Sequence, residues 1–196
     1  MKDYIIITDS AGDLSPKMVE ELGVGVIPLE FQLKGKSYFN YPDERDISTK
    51  EFYRIVREGE TATTSQVTVQ RYTDYFEEVL KHDRDILYIA FSSGLSGSCN
   101  SAKVAAQELK AKYPDNRIEV VDSLCASLGQ GLYVYHAVME KKKGKSIDEV
   151  IQWLEDNKLN LAHWFTVDDL NHLKRGGRVS PATAFFGTML NIKPIL

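Results

Sequence analysis

Short apolar runs alternate with amphipathic stretches along this chain. The apolar runs are rich in β-branched and aromatic residues and predict buried strands at residues 4–8, 24–33, 86–91 and 118–122. The stretches between them place hydrophobic residues at helical spacing, as in Val69, Tyr72, Phe76, Val79 and Leu80. Strands that alternate with helices in this way form a mostly parallel sheet covered on both faces. The pattern therefore predicts an α/β protein with a three-layer α/β/α domain.

Capping residues and turns mark the ends of the predicted elements. Two helix starts have the spacing of a capping box, in which a serine is followed three residues later by a glutamate: Ser48 with Glu51, and Ser146 with Glu149. The Lys34-Gly35 pair predicts a turn into a short strand at 37–39. Another helix carries an apolar series of Leu128, Leu132, Tyr135 and Met139.

The pattern changes after Asn157, and we expect two domains. The first is an N-terminal α/β domain over residues 1–157, and the second is the start of a C-terminal two-layer α/β domain over residues 158–196. Within the second domain we expect a strand at 159–167 and a short helix at 168–174.

The last residues read as a core strand. Ser180-Pro181 predicts one more helix start, and Asn191 to Leu196 is largely apolar. Domains usually end in polar, frayed residues. We therefore expect that the C-terminal part of the second domain is missing from this chain.

Composition excludes several classes of protein. A formal net charge of -4 argues against a general nucleic-acid binder. No apolar run approaches the roughly 18–20 residues of a membrane span, and the apolar run before Asp9 is too short for a signal peptide. Cys99 and Cys125 stand alone, which favours reduced thiols and a cytoplasmic location.

The segment from Ser92 to Ser98 carries the most chemistry. A predicted strand ends in this loop of serines and glycines, and a helical pattern follows at once. Hydroxyls and backbone N–H groups at a helix N-terminus bind anions. The loop contains no lysine, histidine or carboxylate, so we expect it to hold an anion rather than to transform it. Other hydroxyl-rich segments lie near predicted element ends: Thr8-Asp9-Ser10, Thr63–Gln66 and Asp122-Ser123.

The sequence argues against three kinds of site that have known motifs. A nucleophile elbow needs a glycine two residues after Ser96, where Ser98 stands. Gly35-Lys36-Ser37 and Gly144-Lys145-Ser146 lack the first glycine of a phosphate-binding P-loop. The four histidines have no spacing typical of metal ligands, so we expect no metal site.

Taken together, the motifs resemble those of the DegV family. They occur in the family's order along the whole chain, as Thr8-Asp9-Ser10, Thr64-Ser65-Gln66, Ser92–Gly97, Asp122-Ser123 with Ser127-Leu128-Gly129, Leu173–Arg178 and Leu190–Leu196. Two departures flank the second and third motifs. Val67 stands where the family usually has proline, and Ser98-Cys99 stand where Thr-Tyr is common.

The resemblance implies a two-domain protein that binds one long-chain fatty acid and needs no other cofactor. By position in the motifs, Thr64 and Ser96 would hold the carboxylate, with Ser93 and Ser65 as second choices. The acyl tail would lie in an apolar tunnel between the domains. Such proteins present the carboxylate to a separate ATP-binding fatty acid kinase chain and are not enzymes themselves.

Two alternatives stay open at this point. The serine-glycine loop could cradle the phosphate of a small phosphorylated or hydroxylated substrate, which would make the protein an enzyme. The Leu173–Arg178 segment could instead serve a regulatory or partner-binding module, in which Arg175 and Arg178 contact another chain or the head group of the ligand.

Overall fold

A computed structural model of the chain describes residues 2–166 and 170–180. It divides the chain into two compact units, residues 1–161 and 162–196. The strands of the first unit are β1 (Tyr4–Asp9), β2 (Gly25–Ile27), β3 (Glu30–Leu33), β4 (Lys36–Phe39), β5 (Thr63–Ser65), β6 (Asp85–Ala90) and β7 (Ile118–Asp122). Its α-helices are α1 (Pro16–Leu22), α2 (Thr49–Arg57), α3 (Val69–Leu80), α4 (Ser98–Lys112), α5 (Ser127–Lys142) and α6 (Ile147–Asn157).

The main sheet has four parallel strands in the order β2-β1-β6-β7. The central strands are in register from Tyr4 opposite Asp85 to Ile7 opposite Tyr88. All six residues of β6 are buried. Because helices cover both faces of this strand, neither face is exposed to solvent, and this explains its continuous apolar run.

Helices cover both faces of this sheet and form three layers. On one face, Ile6, Leu87 and Ile89 pack with residues of α1, α5 and α6. On the other face, Ile7, Ile86 and Tyr88 pack with residues of α3 and α4. Side chains of a strand alternate between the two faces, so each strand contributes to both cores. The predicted three-layer α/β architecture is confirmed.

The predicted strand at 24–33 is two strands in two different sheets. Residues 25–27 pair with β1, whereas residues 30–33 pair with β4 and β5 in an antiparallel sheet of order β4-β3-β5. Pro28 lies between them and cannot donate a backbone hydrogen bond, which favours a break there. The small sheet packs on α2 through Phe31, Leu33 and Ile55.

Three of the four residues in the apolar series of α5 face outward, whereas Met139 packs against the core. Leu128 is 65% exposed, and Leu132 and Tyr135 are also exposed. The buried residues of α5 include the apolar Tyr133, Val134, Ala137 and Val138, the polar Gln130 and Glu140, and two glycines. A Cβ atom on Gly131 would lie 2.5 Å from the carbonyl oxygen of Gly12. The small residues thus let α5 approach the turn that follows β1.

We expect Gly131→Ala to destabilise the protein by about 1–3 kcal/mol, because overpacking against a backbone carbonyl forces the helix to move. Gly12→Ala is the matched control, since its Cβ would meet Gly131 across the same contact at an ordinary 3.6 Å. Urea denaturation of both variants measures the difference. Equal midpoints for the two variants would show that the close approach is unimportant.

The second unit is described for residues 162–166 and 170–180. The predicted strand at 159–167 is wrong for residues up to 165: Lys158–Asn160 form a 3₁₀-helix that follows α6, and residues 161–165 have no regular secondary structure. The helix α7 (Leu170–Arg175) is present, and Gly177 ends it with a φ of 73°. The helix predicted to start at Ser180-Pro181 and the strand predicted at 191–196 fall on residues 181–196, outside the described residues. The predicted domain limits stay a prediction.

Candidate functional site

The candidate site lies at the point of the main sheet where the strand order reverses. From β1 the chain continues to β2 on one side, and from β6 it continues to β7 on the other. In open parallel sheets, ligands bind beyond the carboxyl ends of the strands at such a point. Asp9 ends β1 there, and the Ser92–Ser98 loop follows β6.

Most backbone N–H groups of the loop already donate hydrogen bonds to acceptors in the protein. The N–H of Ser93 donates to the Asp122 carboxylate at 3.2 Å, and the N–H of Gly94 donates to the Ser92 hydroxyl at 3.3 Å. Those of Leu95 and Ser96 both donate to the Ser92 carbonyl. We expected several backbone N–H groups of the loop to be free to bind an anion, and this is wrong for Ser93 to Ser96. They fix the shape of the loop instead.

The start of α4 keeps its capacity to bind an anion. Its N-cap is Gly97, which has no side chain to cap the helix. The N–H of Ser98 donates to the Ser96 hydroxyl at 3.2 Å. The N–H groups of Cys99 and Asn100 find no acceptor within the described part of the chain. Unpaired N–H groups and the helix dipole favour a negative group at this end.

The segment containing Thr64 is joined to this loop by two contacts. The N–H of Val67 donates to the buried hydroxyl of Ser98 at 3.2 Å. The side chain of Gln66 lies so close to Gly97 that any Cβ there would overlap its amide. Thr64 itself pairs with Phe31 in the small sheet and is exposed. The first of these contacts joins residues that are 31 positions apart in the sequence, so two distant segments meet at this point.

The remaining predicted residues differ in their surroundings. Ser96 is half-buried, whereas the side chains of Ser65 and Ser93 are exposed. Arg175 and Arg178 are exposed in the second unit, where Arg178 donates to the Gly176 carbonyl. Among the described residues, no lysine or arginine hydrogen-bonds to a side chain of the Thr63–Val67 segment or of the Ser92–Ser98 loop.

Two hydrogen-bonded pairs of hydroxyls are found here, one next to Asp9 and one at the start of α4. The Tyr88 hydroxyl donates to the Asp9 carboxylate at 2.7 Å, and the hydroxyls of Tyr72 and Tyr88 are 2.7 Å apart. At the start of α4, the Ser96 hydroxyl donates to that of Ser98 at 3.0 Å.

The sequence does not reveal this arrangement. Its spacing predicts that Tyr72 lies on the core face of α3, and the residue does lie in that core, fully buried beside Phe76. Periodicity detects burial but does not show which hydroxyls meet. The signal that could draw attention is Asp9, a carboxylate directly at the end of an apolar strand.

Asp9 is the most unusual ionisable group of the site. It is 1% exposed. Burial raises the pKa of its carboxyl, and hydrogen bonds from Tyr88, the Ala11 N–H and Gln130 act against that rise. Burial and the nearby Asp9 charge also raise the pKa of Tyr88, which stays a neutral donor.

The raised pKa of Asp9 predicts a pH dependence of stability. The unfolded carboxyl ionises near pH 4 and the folded one at higher pH, so the folded state binds more protons in between. The free energy of unfolding should therefore fall, relative to Asp9→Asn, as the pH rises above about 4, and then level off. Urea denaturation of both proteins across pH measures it. A difference that is constant or grows with pH would contradict a raised pKa.

Two further properties bear on the site. Within residues 2–166 and 170–180, no cluster of His, Cys, Asp and Glu side chains could hold a metal ion. No helix in that part of the chain is long and apolar enough to cross a bilayer.

Comparisons with known proteins identify relatives of the whole chain. The family model described as "Uncharacterised protein, DegV family" matches residues 4–196. A DegV domain-containing protein of Clostridium perfringens is 48% identical over 196 residues, which cover 100% of this chain and 67% of the relative.

Solved structures show the same fold. A fatty-acid-binding DegV family protein from Thermus thermophilus is 37% identical with a TM-score of 0.82, over 100% of this chain and 67% of the other. DegV from Bacillus subtilis, described as a fatty acid binding protein, is 33% identical with a TM-score of 0.82, over 100% and 68%. The chain thus spans about two thirds of the length of these relatives.

Proposed function

Because the chain belongs to the DegV family, we propose that the protein binds a long-chain fatty acid, with its carboxylate on the hydroxyls of Thr64 and Ser96. The observation that carries this proposal is the junction of the two segments, where Val67 donates to Ser98 and Gln66 packs on Gly97. This junction sets both hydroxyl segments beside the uncapped start of α4. Ser65 and Ser93 are secondary candidates for the same carboxylate.

A carboxylate suits this site better than a doubly charged phosphate. Hydroxyl donors and a helix N-terminus stabilise a single negative charge without a cation. The other backbone N–H groups of the loop are hydrogen-bonded within the protein, so few remain free to bind a phosphate. The alternative of an enzyme acting on a small phosphorylated substrate is correspondingly weaker.

The acyl tail would supply most of the affinity. Each methylene group removed from water contributes about 0.8 kcal/mol. The family resemblance implies an apolar tunnel between the domains for this tail. The carboxylate then serves to orient the ligand and to keep its reactive end accessible at the edge of the sheet.

In this proposal the protein is a carrier and not a catalyst. It would present the carboxylate to a separate ATP-binding kinase chain in the cytoplasm, and the kinase would form the acyl-phosphate. A strongly bound cation at the head group would hold the carboxylate and compete with phosphoryl transfer, which fits the hydroxyl-only site. Arg175 and Arg178 are our candidates for contacts with the kinase or the head group.

Mass spectrometry of the lipid extracted from the purified full-length protein tests the binding function. We expect one long-chain fatty acid per protein after expression in a bacterial host, or after incubation with oleate. A protein that carries no lipid under either condition would contradict the proposal.

Hydroxylamine trapping tests the carrier role: the loaded protein with Mg·ATP should give acyl hydroxamate only when a fatty acid kinase chain is added.

A further inference from the structure

The Gln66 side chain occupies the place of a missing side chain at the start of α4. Gly97 is the N-cap residue of this helix, and a Cβ atom on it would overlap the amide oxygen of Gln66. The amide carbon would lie 3.0 Å from that Cβ atom, and the amide nitrogen 3.4 Å from it. The whole amide group of Gln66 therefore lies directly over the helix start.

Space, and not backbone conformation, explains the glycine at position 97. Gly97 has a φ of -72° and a ψ of -4°, which other residues adopt without strain. Serine, threonine, aspartate and asparagine are preferred at N-cap positions, because their side-chain oxygen accepts a hydrogen bond from the first turn of the helix. Glycine gives up this bond and leaves room for an amide group from another segment.

The Gln66 amide has no hydrogen bond within the protein. Among residues 2–166 and 170–180, neither its oxygen nor its nitrogen has a partner, and the residue is exposed. The N–H groups of Cys99 and Asn100 at the same helix start also have no acceptor there. The Ser96 hydroxyl is close by, since it accepts the Ser98 N–H at 3.2 Å. Donors from two distant segments are thus free at one place.

The orientation of the Gln66 amide is not fixed by a hydrogen bond. An amide group carries two N–H donors at one end and a carbonyl oxygen at the other, and the two ends have nearly the same shape. A carboxylate at the helix start would accept from the N–H donors and would be repelled by the oxygen. A bound carboxylate therefore selects the orientation in which the nitrogen of Gln66 faces it.

We propose that Gln66 is a third head-group residue beside Thr64 and Ser96, and that its amide nitrogen donates a hydrogen bond to the carboxylate of the fatty acid. Gln66 follows Thr64 by two positions, and its side chain reaches the loop that contains Ser96, so it connects the two hydroxyl segments. Gly97 makes room for it. The amide supplies donors without a positive charge. This proposal rests on the proposed function, because it requires a carboxylate at Ser96.

Two ligands of equal chain length test this role. Equilibrium dialysis measures the binding of radiolabelled laurate or dodecanol, each below its solubility limit, to the delipidated full-length protein at about pH 8, where laurate is an anion. We expect Gln66→Leu to bind laurate about 10- to 100-fold more weakly than the wild type, because a hydrogen bond to a charged group is lost. Dodecanol is uncharged and should lose less than about fivefold.

Gln66→Glu tests the sign of the interaction. It keeps the shape of the side chain but replaces the N–H donors by a negative charge, which repels the carboxylate. We expect it to weaken laurate binding more than Gln66→Leu does, while dodecanol still binds. Gln70→Leu is the matched control, since this exposed glutamine lies four residues further along and donates to Asp74 at 2.8 Å. It should bind laurate like the wild type.

Gly97→Ala tests the space above the helix start. Its methyl group would displace the Gln66 amide, so we expect a loss of laurate affinity close to that of Gln66→Leu. The double variant Gly97→Ala/Gln66→Leu should lose no more than Gln66→Leu alone, because both changes remove one interaction. Additive losses would show that the glycine does not serve Gln66. If Gly97→Ala does not fold, the two variants at the exposed Gln66 still decide its role.

The outcomes separate the two proposals. Equal laurate affinities of the wild type and Gln66→Leu, or equal losses for laurate and dodecanol, would overturn the role of Gln66 alone. Absence of laurate binding by the wild type would overturn the proposed function.

Discussion

The double variant Thr64→Val/Ser96→Ala is expected to lose its bound fatty acid on purification. A hydrogen bond to a charged group contributes roughly 1.5–3 kcal/mol, so each lost hydroxyl should weaken binding about 10- to 100-fold. The apolar tail still enters the protein, but the carboxylate has fewer donors. Quantitative mass spectrometry of the extracted lipid, with oleate titration of the delipidated protein, measures the loss.

Thr63→Val is the control for this variant. Thr63 neighbours Thr64 on β5, and side chains alternate between the two faces of a strand, so its hydroxyl points away from that of Thr64. The control should retain lipid like the wild type. If the double variant also retains its fatty acid with unchanged affinity, the two hydroxyls do not hold the carboxylate.

The second large effect is expected at Ser98, which joins the two segments. Its residue is 1% exposed, and its hydroxyl accepts from Val67 and Ser96. Ser98→Ala leaves the buried Val67 N–H without a partner, which costs about 1–3 kcal/mol. We expect a lower urea midpoint and, because the Thr64 segment is released from the loop, a loss of bound fatty acid.

Ser101→Ala is the matched control for Ser98→Ala. Ser101 lies one turn further along α4 and is equally a buried serine, but its hydroxyl makes no hydrogen bond within the described residues. We expect a stability change within about 0.5 kcal/mol and full lipid retention. Equal behaviour of the two variants would mean that the junction at Ser98 does not assemble the site.

Local patterns predict the architecture well. The apolar runs of β1, β6 and β7, the capping box at Ser146 and the core face of α3 all follow from spacing and are present. The resemblance to the DegV family is likewise confirmed. These features depend on residues that are neighbours in sequence, where propensity and periodicity are informative.

Features that depend on distant partners are not predictable in the same way. The break at Pro28 sends two halves of one apolar run into different sheets, because strand pairing is decided by tertiary contacts. Leu128, Leu132 and Tyr135 of the apolar series on α5 are exposed, because the helix packs through the face that contains Gly131. The hydrogen bonds between Tyr72, Tyr88 and Asp9 join α3, β6 and β1, and no single segment contains this pattern.

The most direct test is a crystal structure of the full-length protein with bound oleate. We predict elongated density that starts at the edge of the main sheet, with the carboxylate within hydrogen-bonding distance of the Thr64 and Ser96 hydroxyls. A carboxylate bound elsewhere, or a shallow polar cleft beyond Ser96 with no room for an acyl chain, would contradict the proposed site.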